Sequence, residues 1–301
     1  MKNFWFIGDL HGEIRLLDRL LEQILKFDPT ELIFLGAYID RGPYAREVVD
    51  RIRSLEVPVS CLMGNHEMMM LNAMDDLGYG YSPIELWYYN CGEATLQSFG
   101  FTSFFCFQSV MPATYLDFFH KLKMSRQVKL LEGLSVLATH AGISPAIPVS
   151  AQLGMENYND LNHYLLENHI DPGDSFLWVR EAFFGSSPDL WDGNIIVHGH
   201  TPVMKLKRYV NSNGSNDFLF VENDICIRKN PETGSIVSID IDSGSVISGR
   251  LTGLGLFMGI EENEQKESAR LRSITVSAED IFPRDLGRVG DPWDKGRKYE
   301  R

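Results

Sequence analysis

The stretch NFWFIGDLHG occupies positions 3–12. Its apolar run has the length of a buried strand, and Gly8 ends it. A carboxylate and an imidazole follow at once, Asp9 and His11, with glycine on either side of the pair. Glycine lets the backbone turn sharply there and approach whatever the pair binds. The same arrangement returns twice. Residues 32–35, LIFL, form a second apolar run before GAYIDRG at 36–42. Residues 57–63 form a third before GNHE at 64–67. Between the first two, Leu16, Leu17, Leu20, Leu21, Ile24 and Leu25 recur at helical spacing up to the Asp-Pro stop at 28–29. Pro43 suits the first turn of another helix, running to about Leu55. Strand, helix, strand, helix, strand within 63 residues predicts parallel pairing with right-handed crossovers. In such α/β sheets the carboxyl ends of the strands line the binding crevice, so each strand delivers its polar cluster to one edge.

The middle of the chain, about 66–125, reads as helices, with SPIELWYYN and PATYLDFFHKL each opening on a plausible cap. Residues 127–131 and 134–138 flank Glu-Gly, a hairpin signal. Residues 150–190 read as helical and loop-rich. From 194 onward, NIIVHGH, MKLKRYV, DFLFVEND, SIVSIDID and VISGRLTGLG read as short strands of a second, largely antiparallel sheet. NSNGSND at 211–217 reads as a polar turn. Beyond about 260, EENEQKESARLR and DPWDKGRKYER are charge-rich and predict a solvated tail. The expected organisation is a catalytic domain over 1–260, with helical insertions near 75–125 and 150–190. A charged, partly flexible extension over 261–301 follows.

Composition narrows the class. The 301 residues, 44% apolar and 23% charged, suffice for a sizeable core. The net charge of −13 argues against general binding to nucleic acid or anionic membranes, which want Lys and Arg stripes. Cys61, Cys91, Cys106 and Cys226 form no C-x-x-C pair, which predicts reduced thiols and a cytoplasmic home. No apolar run approaches the roughly 20 residues of a spanning helix, and the N-terminal run is too short for a signal-peptide core.

Two later strand ends complete the chemistry: THAG with His140, and VHGHT with His198 and His200. Five strand tips thus supply carboxylate, imidazole and amide donors without thiolate. That set suits Mn²⁺, Fe²⁺, Zn²⁺ or Mg²⁺. It is too large for one open catalytic ion and fits two, which together can clamp a phosphate and activate a shared water. A bridging carboxylate normally holds such a pair, and position 37, where it should sit, is alanine.

The ordered set GD-x-HG, GD-x-x-DRG, GNHE, HAG and GHT resembles the calcineurin-like metallophosphoesterases. More narrowly it is similar to their phosphoprotein phosphatase branch, which includes bacterial and phage serine/threonine phosphatases. IDSGSVISGRLTGL at 241–254 resembles that family's closing strand pair. The resemblance implies an α/β fold, an α/β/β/α sandwich of mixed sheets flanked by helices, with its active site at the carboxyl ends of the strands. It implies Asp9 and His11 on a first metal ion and Asn65, His140 and His200 on a second, with Mn²⁺ the leading identity. It implies His66 as proton donor to the leaving group, oriented by Asp40. Arg41 and Arg180, with Asn65, would hold phosphate oxygens. Glu67 is expected to hydrogen-bond a ligand or an arginine, and His198 to support a ligand rather than bind metal.

Every position but 37 is filled. A single carboxylate-to-methyl change resembles deliberate inactivation more than gradual decay, which would lose several ligands. Activity of this chain is therefore expected to be strongly reduced. Three functions compete. The first is a phosphomonoester hydrolase acting on phosphoserine, phosphothreonine or phosphotyrosine in proteins, or on a small phosphomonoester. The second is a dinucleoside tetraphosphate or nucleotide hydrolase. The third is a catalytically dead module that binds phosphorylated partners. Asp40 and Glu67 favour the first, because the diadenosine enzymes typically lack that Asp and carry GNHD.

Overall fold

Residues Lys2–Ile7 form β1, whose side chains leave it alternately on opposite faces. Trp5 and Ile7 enter a core shared with helices, while Phe4 and Phe6 enter a core shared with a second sheet. Burial on both faces is why this strand reads as an unbroken apolar run. The computed structural model describes residues 2–75, 82–131, 134–213, 217–222, 224–261 and 266–288. After α1 (Ile14–Ile24) comes β2 (Glu31–Phe34), and after α2 (Ala45–Arg53) comes β3 (Val59–Cys61). The three strands pair in parallel, as their spacing predicts.

Helices α3 (Asn65–Met74), α4 (Pro83–Tyr89), α5 (Gly92–Ser98), α6 (Phe104–Val110) and α7 (Ala113–His120) follow. Met68, Met69, Met70, Trp87, Phe104 and Phe107 lie in their core. A hairpin of β4 (Arg126–Leu131) and β5 (Leu134–Ala138) leads into α8 (Val149–Gly154), α9 (Tyr158–Glu167) and α10 (Glu181–Gly185). Then come β6 (Asn194–His198), α11 (Val203–Asn213), β7 (Phe218–Val221), β8 (Ile225–Lys229) and β9 (Ile236–Asp240). The chain closes with α12 (Ser245–Ser248), β10 (Arg250–Glu261), β11 (Lys266–Ser277) and β12 (Ile281–Arg288).

The strands build two sheets of mixed pairing, ordered β12-β11-β10-β1-β2-β3 and β4-β5-β6-β9-β8-β7. One apolar core lies between the sheets, and a further core backs each sheet with helices. The fold is the expected α/β sandwich of mixed sheets flanked by helices. In the second sheet β5, β6 and β9 run parallel and the other three pairings are antiparallel, while VISGRLTGLG, expected among its strands, lies in α12 and in β10 of the first sheet.

Three further expectations are corrected. MKLKRYV lies in α11: Val203, Leu206 and Val210 recur at helical spacing and pack with Phe183 and Trp191. The expected polar turn at 211–217 is partly the end of α11, and 214–216 lie outside the described residues. The expected solvated tail is in large part sheet, because β11 pairs with β10 and β12. There Ala269, Leu271 and Ser273 are buried while Arg270 and Arg272 stay exposed, an inside-outside alternation that the charge density obscures. Residues 289–301 lie outside the description.

Candidate active site

The carboxyl ends of β1, β2, β3, β5, β6 and β9 carry Asp9, Ala37, Asn65, His140, His200 and Asp242. Parallel pairing within each sheet brings these tips to a common edge. The loops interlock through their backbones. Ala37 O accepts from Leu10 N and His11 N, and Gly12 N donates to Tyr38 O. A Cβ at Gly42 would collide with His11 O, and one at Gly12 would stand 2.7 Å from Gly42 O, so only glycine permits this approach. Ten non-glycine residues among those described have positive φ, and His11, Ala37, Asp40, Arg41 and His200 are five of them. Backbone strain of this kind concentrates where the surroundings over-determine a functional geometry.

Asp9, His11, Asn65, His66, His140 and His200 are all at most 5% exposed. The His11 and His66 ring centroids lie 4.6 Å apart, and those of His140 and His200 5.0 Å apart. Each expected histidine ligand commits one nitrogen to a carbonyl: His11 Nδ1 to Ile39 (2.9 Å), His140 Nδ1 to Leu35 (2.8 Å) and His200 Nε2 to Trp178 (3.1 Å). The other nitrogen then presents a lone pair, as metal-binding imidazoles do. His140 Nε2 stands 2.8 Å from the Asn65 side-chain amide. Burial pushes His140 down to about 3. Burial also lowers His11, His66 and His200 well below the usual imidazole range. Asp9 is raised well above the carboxylate range, by burial and then by Asp242. A divalent cation answers all these conditions at once, since it needs lone pairs and offsets negative charge.

The donor set fits such ions in kind. Asn65, His140 and His200 make one group and Asp9 with His11 the other. Among the described residues, no three His, Cys, Asp or Glu side chains stand close enough to hold one ion. The sequence explains this: one group has two imidazoles and an amide, the other one imidazole and one carboxylate. A carboxylate at position 37 would serve both.

His66 Nδ1 lies 2.7 Å from Asp40 Oδ2, so the expected pair is in contact. Asp40 also accepts from Trp87 Nε1 at 3.0 Å and from Thr95 Oγ1 at 2.6 Å. Burial pushes Asp40 up to about 8, against the pull of Thr95, Trp87 and Arg41. Sequence reasoning missed Trp87 and Thr95. The only signal was an indole N–H within a segment read as helix, which must find a partner when buried. Arg41 Nη1 donates to His11 Nε2 at 2.6 Å. Arg180 Nη1 donates to His200 O and Thr201 Oγ1, each at 2.9 Å.

Two supporting roles differ from expectation. Among the described residues, Glu67 hydrogen-bonds neither an expected ligand side chain nor an arginine. Its carboxylate accepts from the backbone N–H groups of Ala37, Tyr38, Ile39 and Gly64 at 2.7–3.3 Å, clamping the 37–39 loop to the start of α3. Burial, then the Asp40 charge, pushes it up to about 7. His198 packs its ring edge-on to Phe183 at 4.9 Å and has Nδ1 3.2 Å from Gly199 O, its own neighbour's carbonyl. His120, His163 and His169 are exposed.

The chain is similar to several known proteins. The chain is 29% identical over 195 residues to the symmetrical bis(5'-nucleosyl)-tetraphosphatase of Coxiella burnetii (strain RSA 331 / Henzerling II), covering 63% of this chain and 56% of that protein. It is 40% identical over 76 residues to serine/threonine-protein phosphatase 2 of Escherichia coli (strain K12), covering 25% of this chain and 34% of that one. A solved metallophosphoesterase from Sphaerobacter thermophilus aligns with TM-score 0.39 and 14% identity, over 95% of this chain and 88% of that one. The chain thus spans less than two thirds of the length of its first curated relatives. The sequence pattern of calcineurin-like phosphoesterases matches residues 2–228, and the chain belongs to that family.

Proposed function

We propose that this chain is the scaffold of a metal-dependent hydrolase of phosphoanhydride bonds in dinucleoside tetraphosphates. The contact that carries the hydrolytic reading is His66 Nδ1 on Asp40 Oδ2, set beside two groups of buried lone-pair donors. The substrate class is drawn from the symmetrical tetraphosphatases, which match the chain over a far longer stretch than the protein phosphatase does. This reorders the expectation from the motifs, which put a protein phosphatase first.

The roles are those that the motifs imply, and the contacts support them. Asp9 and His11 would hold one divalent ion, and Asn65, His140 and His200 another, with Mn²⁺ the leading identity. Bound ions supply charge neutralisation for phosphate and an activated water. Arg41 and Arg180 border the same space and would bind phosphate oxygens by their guanidinium forks. Asp40 fixes His66 through Nδ1, and its charged form would stabilise the imidazolium of His66, whose Nε2–H would pass a proton to the leaving oxygen.

The second reading, a serine/threonine phosphatase, keeps a specific observation in its favour: Asp40 of the DRG motif is present and bonded to His66. Restoring the carboxylate with Ala37→Asp and assaying with Mn²⁺ separates them. Diadenosine tetraphosphate should exceed a phosphopeptide panel at least tenfold in kcat/KM. The reverse preference would make the chain a protein phosphatase, and no turnover of either would leave a binding module.

A further inference from the structure

The short helix α12 stands between Gly244 and Gly249, both left-handed, at φ 70° and 66°. Its backbone is fastened. Ile247 N and Ser248 N donate to Gly244 O, Gly249 N donates to Ser245 O, and Gly244 N donates to Asp242 Oδ1 at 2.8 Å. Its two apolar side chains are not packed away: Val246 is 38% exposed and Ile247 54%. This fixed turn is seated on the candidate site. Ser245 Oγ donates to Leu10 O at 3.1 Å, and Leu10 lies between Asp9 and His11. A Cβ at Gly244 would stand 3.4 Å from Pro202 Cβ and 3.9 Å from Ile247 Cβ, so Pro202 and Ile247 flank the same point. Pro202 follows His200 and Thr201 directly, and Met204 just beyond it is 38% exposed. Adjacent apolar side chains left exposed on a fixed turn beside a polar site suit a bound ligand.

The charge at this lip says what kind of ligand. Arg180 Nη1 donates to Thr201 Oγ1 at 2.9 Å, so a phosphate oxygen held by Arg180 would lie one residue from Pro202. Lys205 is exposed in the first turn of α11. Burial holds Asp242 above the usual carboxylate range, against the Gly244 N–H and then the charges of Arg41, Arg180 and Lys205. Three cations thus act at one place, on a chain whose net charge is −13. Cations beside apolar side chains fit a molecule that is anionic at one end and flat and apolar at the other. A symmetric cut of a dinucleoside tetraphosphate leaves each nucleoside only two phosphates from the broken bond, so a base must rest close to the strand tips. We infer that Val246, Ile247, Pro202 and Met204 form the subsite for one nucleoside of the substrate, with its phosphates running past Lys205 and Arg180 to the strand tips. Every nucleobase has a flat face, so the subsite separates nucleoside polyphosphates from bare ones and does not choose among bases. The inference deepens the dinucleoside tetraphosphate reading and rests on it.

The test is titration calorimetry of this chain in Mn²⁺, with diadenosine tetraphosphate and inorganic tripolyphosphate as ligands. Ile247→Ser removes apolar surface from an exposed turn. It should weaken diadenosine tetraphosphate at least about fivefold and shift tripolyphosphate less than about twofold. Ile247→Trp widens the platform and should tighten diadenosine tetraphosphate by about twofold or more, again without tripolyphosphate following. Equal shifts for both ligands, or no shift for either, overturn the inference. So does a loss confined to a phosphoserine peptide, which would make the lip a protein-binding surface. If neither this chain nor its Ala37→Asp variant binds or cleaves diadenosine tetraphosphate, whatever stands at 247, the dinucleotide reading fails first and takes the inference with it.

Discussion

Ala37 has φ 53°, in the left-handed region that alanine disfavours and that Asp and Asn tolerate better. The loop keeps that shape because Glu67 holds its amides and Leu10 and His11 hold its carbonyl. The backbone is therefore already suited to an aspartate. Ala37→Asp should fold without loss of melting temperature in the presence of Mn²⁺ and raise phosphohydrolase activity at least about a hundredfold, a gain on the order of 3 kcal/mol in barrier. In that active background, Asp40→Asn should lower kcat by about 10²–10⁴-fold, the usual worth of general acid catalysis. It leaves Trp87 and Thr95 with an acceptor but takes the ionisable carboxyl from His66, so KM should change far less. A KM effect with unchanged kcat would place Asp40 in binding instead.

At the scale of elements, what could be read in the sequence was whatever is local. Asp9, His11, Asn65, His66, His140 and His200 each sit within a few residues of a strand end, next to glycine, so their convergence follows once the strands pair in parallel. Long-range partners were hidden. Trp87 and Thr95 reach Asp40 across 47 and 55 residues, and no periodicity encodes that contact. α11 was mistaken for a strand because its Lys and Arg residues mimic alternation, and β11 for a tail because its arginines mask the buried face. Glu67 was assigned to the site by its motif, yet its four backbone donors make it the fastening between α3 and the β2 loop. Glu67→Gln cannot accept all four N–H groups with both terminal atoms. It should destabilise the fold by about 1–3 kcal/mol, read by urea denaturation. An unchanged midpoint would show that the loop holds itself.

For the whole molecule, the two sheets must stay in register for their tips to meet. Besides the shared apolar core, Glu31 on β2 and Arg126 on β4 tie one sheet to the other, with Arg126 Nη2 2.7 Å from Glu31 Oε2 and Ser60 Oγ donating to Glu31 Oε1 at 2.6 Å. The hydrogen bonds of Arg126 and Ser60 outweigh burial and hold Glu31 below its ordinary range of 4.5. A depressed carboxyl stabilises the fold at pH above its unfolded value and loses that contribution as pH falls through the folded value. Glu31→Gln should therefore melt lower than the parent at neutral pH and converge with it as the pH falls through the depressed value of the folded carboxyl. A constant gap across that range would mean that packing, not charge, carries the effect.

The account depends on divalent cations gathering where the two sheets present their strand tips. Crystals of the Ala37→Asp protein soaked in Mn²⁺ test this directly by anomalous diffraction. Two peaks roughly 3.5–4 Å apart are expected, one beside Asp9 and His11 and one beside Asn65, His140 and His200. Manganese bound elsewhere, with these side chains left without a peak, would contradict it.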